Sequence, residues 1–181
     1  RDVVGAFTMS ATAAQIAYVE FETTTVTHAQ LTPSLTTILT AIDNAPAVGA
    51  GTFLSGGIDL GQSVVTGAGA RAGVPKVMIL MSDGVQTVGG DDNTAIGSAT
   101  LVKNAGTKIL AVGFGGVSVI TLNAIASSRK WRRFIRLRII SSPCCSDKCR
   151  CGIKRGSVAI ACIRFSSTSM LSIELIRKRG R

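Results

Sequence analysis

Hydrophobic and polar positions fall into two kinds of block along this chain. Residues 76–84 (KVMILMSDG) contain an unbroken apolar run, 77–81, closed by Ser82, Asp83 and Gly84. A short apolar run bounded by turn residues predicts a strand covered on both faces, as in a parallel sheet. Residues 108–113 (KILAVG) repeat the pattern, and 15–21 (QIAYVEF) form a third run rich in β-formers. Residues 23–31 (TTTVTHAQL) predict a short edge strand paired to that third run. The intervening blocks have helical period. Leu35, Ile38, Leu39 and Ile42 follow the start signal Thr32-Pro33-Ser34 and end before Pro46. Leu54, Ile58, Gly61 and Val65 mark a second helix, with Ser55 as its expected cap. Ala95, Ala99 and Val102 mark a third, stopped by Gly106, and Val119, Leu122, Ile125 and Ala126 a fourth. The first residues of the chain read as helix as well. Strands alternating with such helices predict an α/β fold: a doubly wound, mostly parallel sheet with helices on both faces. Open sheets of this kind hold ligands at the carboxyl ends of their strands, which is where Asp83 falls.

Composition divides the chain. Its 181 residues suffice for one domain with a real core. The net charge of +10 is unevenly placed: residues 1–128 carry five Lys/Arg against eight Asp/Glu, and residues 129–181 carry fifteen against two. All five cysteines lie in the second part. An α/β domain over 1–128 followed by an irregular basic, cysteine-containing tail over 129–181 is therefore expected. In the tail, Trp131 and Phe134 among cations suit a nucleic-acid or anionic-membrane patch. Residues 134–140 (FIRLRII) alternate as an edge strand would. Cys144, Cys145, Cys149 and Cys151 lack the paired spacing of structural zinc sites, and in an oxidising compartment they pair as disulfides with Cys162 odd. The abrupt change at 128 is also what an altered reading frame or a retained intron produces. No run is long and apolar enough for a membrane span, and no leader is visible before residue 1.

Candidate chemistry is sparse. A Gly-Thr loop (residues 48–52, VGAGT) precedes one helix, and Ser-Asp-Gly closes the next strand. Thr52 and Asp83 offer a hydroxyl and a carboxylate to a hard cation such as Mg2+. His28, the only histidine, is the only imidazole base for a hydrolytic triad, and its place on an edge strand reads as a solvated surface residue. The loop Gly113-Phe114-Gly115-Gly116-Val117-Ser118 lacks the third glycine and the downstream acid of a dinucleotide site. Asp91 and Asp92 read as an exposed acidic loop rather than a Ca2+ site. There is no phosphate-binding P-loop. No enzymatic activity is expected.

The order of these pieces resembles the von Willebrand factor A domain family. The residues that carry the likeness are 15–21 (QIAYVEF), 35–46 (LTTILTAIDNAP), 49–59 (GAGTFLSGGID), 76–84 (KVMILMSDG) and 108–127 (KILAVGFGGVSVITLNAIAS). The resemblance implies a metal-ion-dependent adhesion site, where Mg2+ or Mn2+ completes its shell with an acidic side chain of a partner protein. It implies that Thr52 and Asp83 are metal ligands, that Ser82 is not, and that Gly51 and Gly84 let the backbone turn around the ion. It further implies an adhesion or extracellular-matrix role and an extracellular or secreted location. The family's first metal loop, Asp-x-Ser-x-Ser, has no counterpart here, so the central first strand and three of the usual ligands are expected to be missing. Two strand edges would then lie open.

Overall fold

A computed structural model describes residues 2–46, 51–82, 84–113, 116–127 and 168–174, the last as backbone only. Asp83, part of the loops at 47–50 and 114–115, the 134–140 strand, Trp131, Phe134 and all five cysteines lie outside the described residues.

The elements follow in the order α1 (Asp2–Gly5), β1 (Gln15–Phe21), β2 (Thr25–Thr32), α2 (Leu35–Asn44), α3 (Leu54–Thr66), β3 (Lys76–Ser82), α4 (Asp92–Asn104), β4 (Lys108–Gly113), α5 (Val119–Ile125) and β5 (Thr168–Glu174). They build one five-stranded sheet of order β2-β1-β5-β3-β4. β3 and β4 are parallel, and β5 is antiparallel to both β1 and β3. β1, β3 and β4 therefore all point the same way, with β2 and β5 against them. The expected α/β class with helices on both faces stands, but the described sheet is mixed rather than mostly parallel, because β5 lies antiparallel between β1 and β3.

Every residue of β3 after Lys76 is buried, as a strand covered on both faces requires. Its pleat sends Met78 and Leu80 to one face and Ile79 and Met81 to the other. β1 does the same: Ala17, Val19 and Phe21 join the first face, Ile16 and Tyr18 the second. On the first face the core is completed by Leu54, Ile58 and Val64 of α3, Ala95, Ala99 and Val102 of α4, and Ile125 of α5. On the second, Val4 of α1 and Ile38 of α2 close a smaller cluster.

Local signals set the ends of the helices. Ser34 caps α2, its side chain accepting from Thr37 N–H at 3.2 Å. Gly106, with φ of +88°, follows the end of α4 in the left-handed conformation that glycine adopts without cost. Three expectations need correction. Ser55 does not cap α3; Phe53 holds that position, and Ser55 is the buried second residue of the helix. Asp91 and Asp92 are not an acidic loop but the cap and first residue of α4, which starts earlier than its apolar period suggests. Val119 lies on the exposed side of α5, while Thr121 and Ile125 face inward.

The open edges expected beside β1 and β3 are closed. β5 runs between them in continuous register, Leu171 opposite Tyr18 on one side and Ile79 on the other. No helix among the described residues is long and apolar enough to cross a membrane.

Candidate metal centre at the carboxyl edge of the sheet

Because β1, β3 and β4 share a direction, Phe21, Ser82 and Gly113 all end at one edge. The Gly51-Thr52 loop comes to this edge from the neighbouring helix. A Cβ on Gly51 would stand 2.5 Å from Thr23 Cγ2, just beyond β1, and 3.1 Å from a Val88 methyl. Only glycine permits that approach. Thr52 is nearly buried. Its N–H donates to Thr87 Oγ1 at 2.9 Å, and its carbonyl accepts from the N–H groups of Thr87 and Val88 at 3.0 and 3.3 Å. These three bonds fix the backbone of the threonine between two loops.

The Thr52 hydroxyl is aimed at the end of β3: a Cβ on Gly84 would stand 3.1 Å from Oγ1. Tertiary structure thus brings together Thr52 and Gly84. The two glycines serve close approach of loops, at ordinary φ. Ser82, fully buried, donates its hydroxyl to Gly84 O at 3.1 Å and accepts from Gly84 N–H at 3.3 Å. Its oxygen is occupied within its own turn.

A polar network missed in the sequence supports this edge. Gln86, 7% exposed, accepts from Ser55 N–H at 2.7 Å and donates to Ser55 Oγ at 2.9 Å. This amide, rather than a cap residue, satisfies an open N–H in the first turn of α3. Gln86 N–H in turn donates to Asp92 Oδ1 at 3.1 Å. The other oxygen of Asp92 accepts from the Thr121 hydroxyl, whose oxygen is hydrogen-bonded in turn to the hydroxyl of Ser118, the cap of α5, at 2.8 Å. One chain of bonds therefore links the starts of α3, α4 and α5. Nothing in the spacing of Gln86, inside a polar loop, could have shown it. Asp91 sits beside it at the cap of α4. The backbone N–H of Thr94, then the side chains of Asn93 and Thr94, hold the Asp91 carboxyl below the usual carboxylate range.

His28 is not a freely solvated residue. Its Nε2 lies 2.6 Å from Oε2 of buried Glu20, and its ring stacks on Tyr18 with centroids 5.3 Å apart. It stands over a groove of about 480 Å3 lined by Thr36, Thr37, Thr40, Ala41 and Asn44. That groove lies between β2 and α2, away from Thr52.

The donor set does not complete a cation shell. A hard divalent ion takes about six oxygens, several of them anionic or from water. Among the described residues no three His, Cys, Asp or Glu side chains come together to hold a metal. Thr52 presents a hydroxyl oxygen at the edge with no hydrogen bond to a described residue, whereas those of Ser82 and Asp92 are engaged.

Comparison with known proteins gives the site its context. The family model described as the von Willebrand factor type A domain matches residues 1–140. No curated protein sequence matches the chain. Among solved structures, proximal thread matrix protein 1 (PTMP1) from the mussel byssus is similar in more than one crystal. One superposes with a TM-score of 0.61 at 26% identity, covering 72% of this chain and 32% of the mussel chain. Another reaches 0.63 at 24% identity, covering 72% and 34%. A third, described with a zinc-occupied MIDAS motif, reaches 0.60 at 22% identity, covering 72% and 35%. The chain thus spans about a third of the mussel protein. With helices on both faces of the sheet, a threonine loop at its carboxyl edge and a family match over most of its length, the chain belongs to the von Willebrand factor type A domain family, a family of protein-interaction and adhesion modules.

Proposed function

We propose that this chain is a non-enzymatic protein-binding module of an extracellular-matrix or cell-adhesion type of protein, and that its partner docks at the carboxyl edge around Thr52 and Asp83. The observation that supports this reading most is the Thr52 hydroxyl, pointed at Gly84 from a main chain that three hydrogen bonds hold in place. The mussel thread-matrix protein, with zinc in the corresponding kind of site, supports a matrix setting and a divalent ion. Mg2+ or Mn2+ bridging to a partner carboxylate belongs to a form with a full set of oxygens. Among the described residues that set is incomplete, and the proposal is that this chain holds the ion weakly.

The test is a titration of the chain with Mn2+ by calorimetry, alongside capture of an immobilised acidic matrix protein with and without EDTA. Weak Mn2+ binding that Thr52→Ala reduces further, with partner capture lowered by the same substitution, supports the assignment. Capture unchanged by Thr52→Ala moves the binding surface elsewhere on the domain.

A further inference from the structure

β2 lies at one end of the described sheet, paired with β1 on one side and with no described strand on the other. Every second residue of an edge strand turns its N–H and C=O outward, and such a row pairs with another strand unless charge, proline or a bulge blunts it. β2 (TVTHAQLT) holds no proline, lysine, arginine or carboxylate. Its one titratable side chain, His28, is turned to Glu20 of β1 at 2.6 Å. Register shifts between Ile16 and Val19 twist the half of β2 from Ala29 to Thr32, while Thr25, Val26 and Thr27 pair in regular order. The groove of about 480 Å3 between β2 and α2 adjoins this strand at His28. Its other wall is one side of α2, where Thr36, Thr37, Thr40, Ala41 and Asn44 offer methyl, hydroxyl and amide groups and no charge. The side chains of Thr36, Thr40 and Asn44 make no hydrogen bond to a described residue.

We propose that β2 and this groove together form a strand-addition site for an extended, uncharged, serine- and threonine-rich segment of a partner protein. The partner's backbone continues the sheet along the outer edge of β2. Its alternate side chains then fall on the α2 side of the sheet, where the groove takes them. Main-chain pairing supplies affinity and the groove supplies selection. Charge complementarity sets the class of partner. Neither wall offers a counter-ion, since Glu20 already answers His28. A lysine or glutamate entering the groove loses water and gains no partner of opposite charge. Hydroxyl and amide side chains meet both donors and acceptors there. The site lies away from Thr52 and uses no metal.

The experiment mixes the full chain with a fluorescein-labelled peptide of alternating threonine and serine, as long as β2, and reads fluorescence anisotropy. Peptides of the same length that alternate threonine with lysine, or threonine with glutamate, are measured beside it. Saturable binding of the neutral peptide is expected, the same with EDTA as without, and weaker by about tenfold or more for both charged peptides. N-methylation of alternate peptide amides separates strand pairing from side-chain contact. Methylating one alternate set should abolish binding, because those N–H groups face β2, and methylating the other should leave it. Thr40→Lys fills the groove from an exposed helical position where lysine is the better helix former, so the fold is kept. This variant should weaken binding of the neutral peptide by about tenfold. Four results overturn the proposal: no saturable binding of the neutral peptide, equal binding of the charged ones, the same effect from both methylated sets, or no effect of Thr40→Lys.

Discussion

At the scale of single residues, the fold depends on a few contacts that tolerate no extra atom and no lost partner. Gly57 of α3 lies against Phe21: a Cβ there would stand 2.6 Å from two atoms of the ring. Alanine normally improves a helix over glycine by about 1 kcal/mol, while forcing a methyl into a packed core costs about 1–3 kcal/mol. Phe21 is fully buried and cannot move aside, so the steric cost wins. Gly57→Ala is expected to lower the urea midpoint despite its better helix propensity. Gln86 is the polar counterpart. Gln86→Leu keeps much of the volume but strands the buried Ser55 N–H and hydroxyl, and an unsatisfied buried group costs about 1–3 kcal/mol. Equilibrium denaturation should show a loss of that size, and unchanged stability would mean that water replaces the amide.

At the scale of elements, the helices begin where side chains satisfy their first N–H groups. Ser34→Ala removes the cap of α2 and should cost about 1 kcal/mol of stability in urea melts. Asp91 adds a charge to its capping role at α4. Its carboxyl is held below the ordinary range in the folded state, so its contribution is full above the ordinary carboxylate pKa and disappears as pH falls through the lower, folded value. Asp91→Ala should therefore lower the melting temperature at pH 7 and make progressively less difference as the solution becomes strongly acidic. A gap that stays constant down to the lowest pH would show that the charge plays no part. These caps were only partly legible in the sequence. Ser34 and Gly106 announce themselves beside apolar periods. Ser55 was misread because its N–H is answered by Gln86, 31 residues away, and no local pattern records a bond between distant loops.

At the scale of the whole molecule, charge separates the two binding modes considered. The described body has few basic residues, and the excess of Lys and Arg lies in 129–181. Docking at the carboxyl edge should change little when salt is raised from 50 to 200 mM. Binding through six to ten phosphate contacts would fall by roughly 10^3 to 10^5 over the same range. Affinity measured at the two salt concentrations decides which surface dominates.

Period and punctuation alone determined the class of this fold. The apolar runs at 77–81 and 109–112, the helix faces of Ile38, Ile58 and Ala99, and the Gly-Thr and Ser-Asp-Gly turns are local patterns, and each element formed where its pattern stands. The placing of Thr52 at the carboxyl edge was also legible, because strand direction follows from alternation with helices. Tertiary structure decided the rest. His28 and Glu20 lie eight residues apart yet form a partly buried pair, since antiparallel pairing of β1 with β2 brings them together. Gln86 acquired its role only when α3 and α4 packed side by side. The strand at 168–174 has no helix-alternation signal to recommend it. It became the centre of the sheet because two open edges, each lined with unpaired backbone groups, met over it.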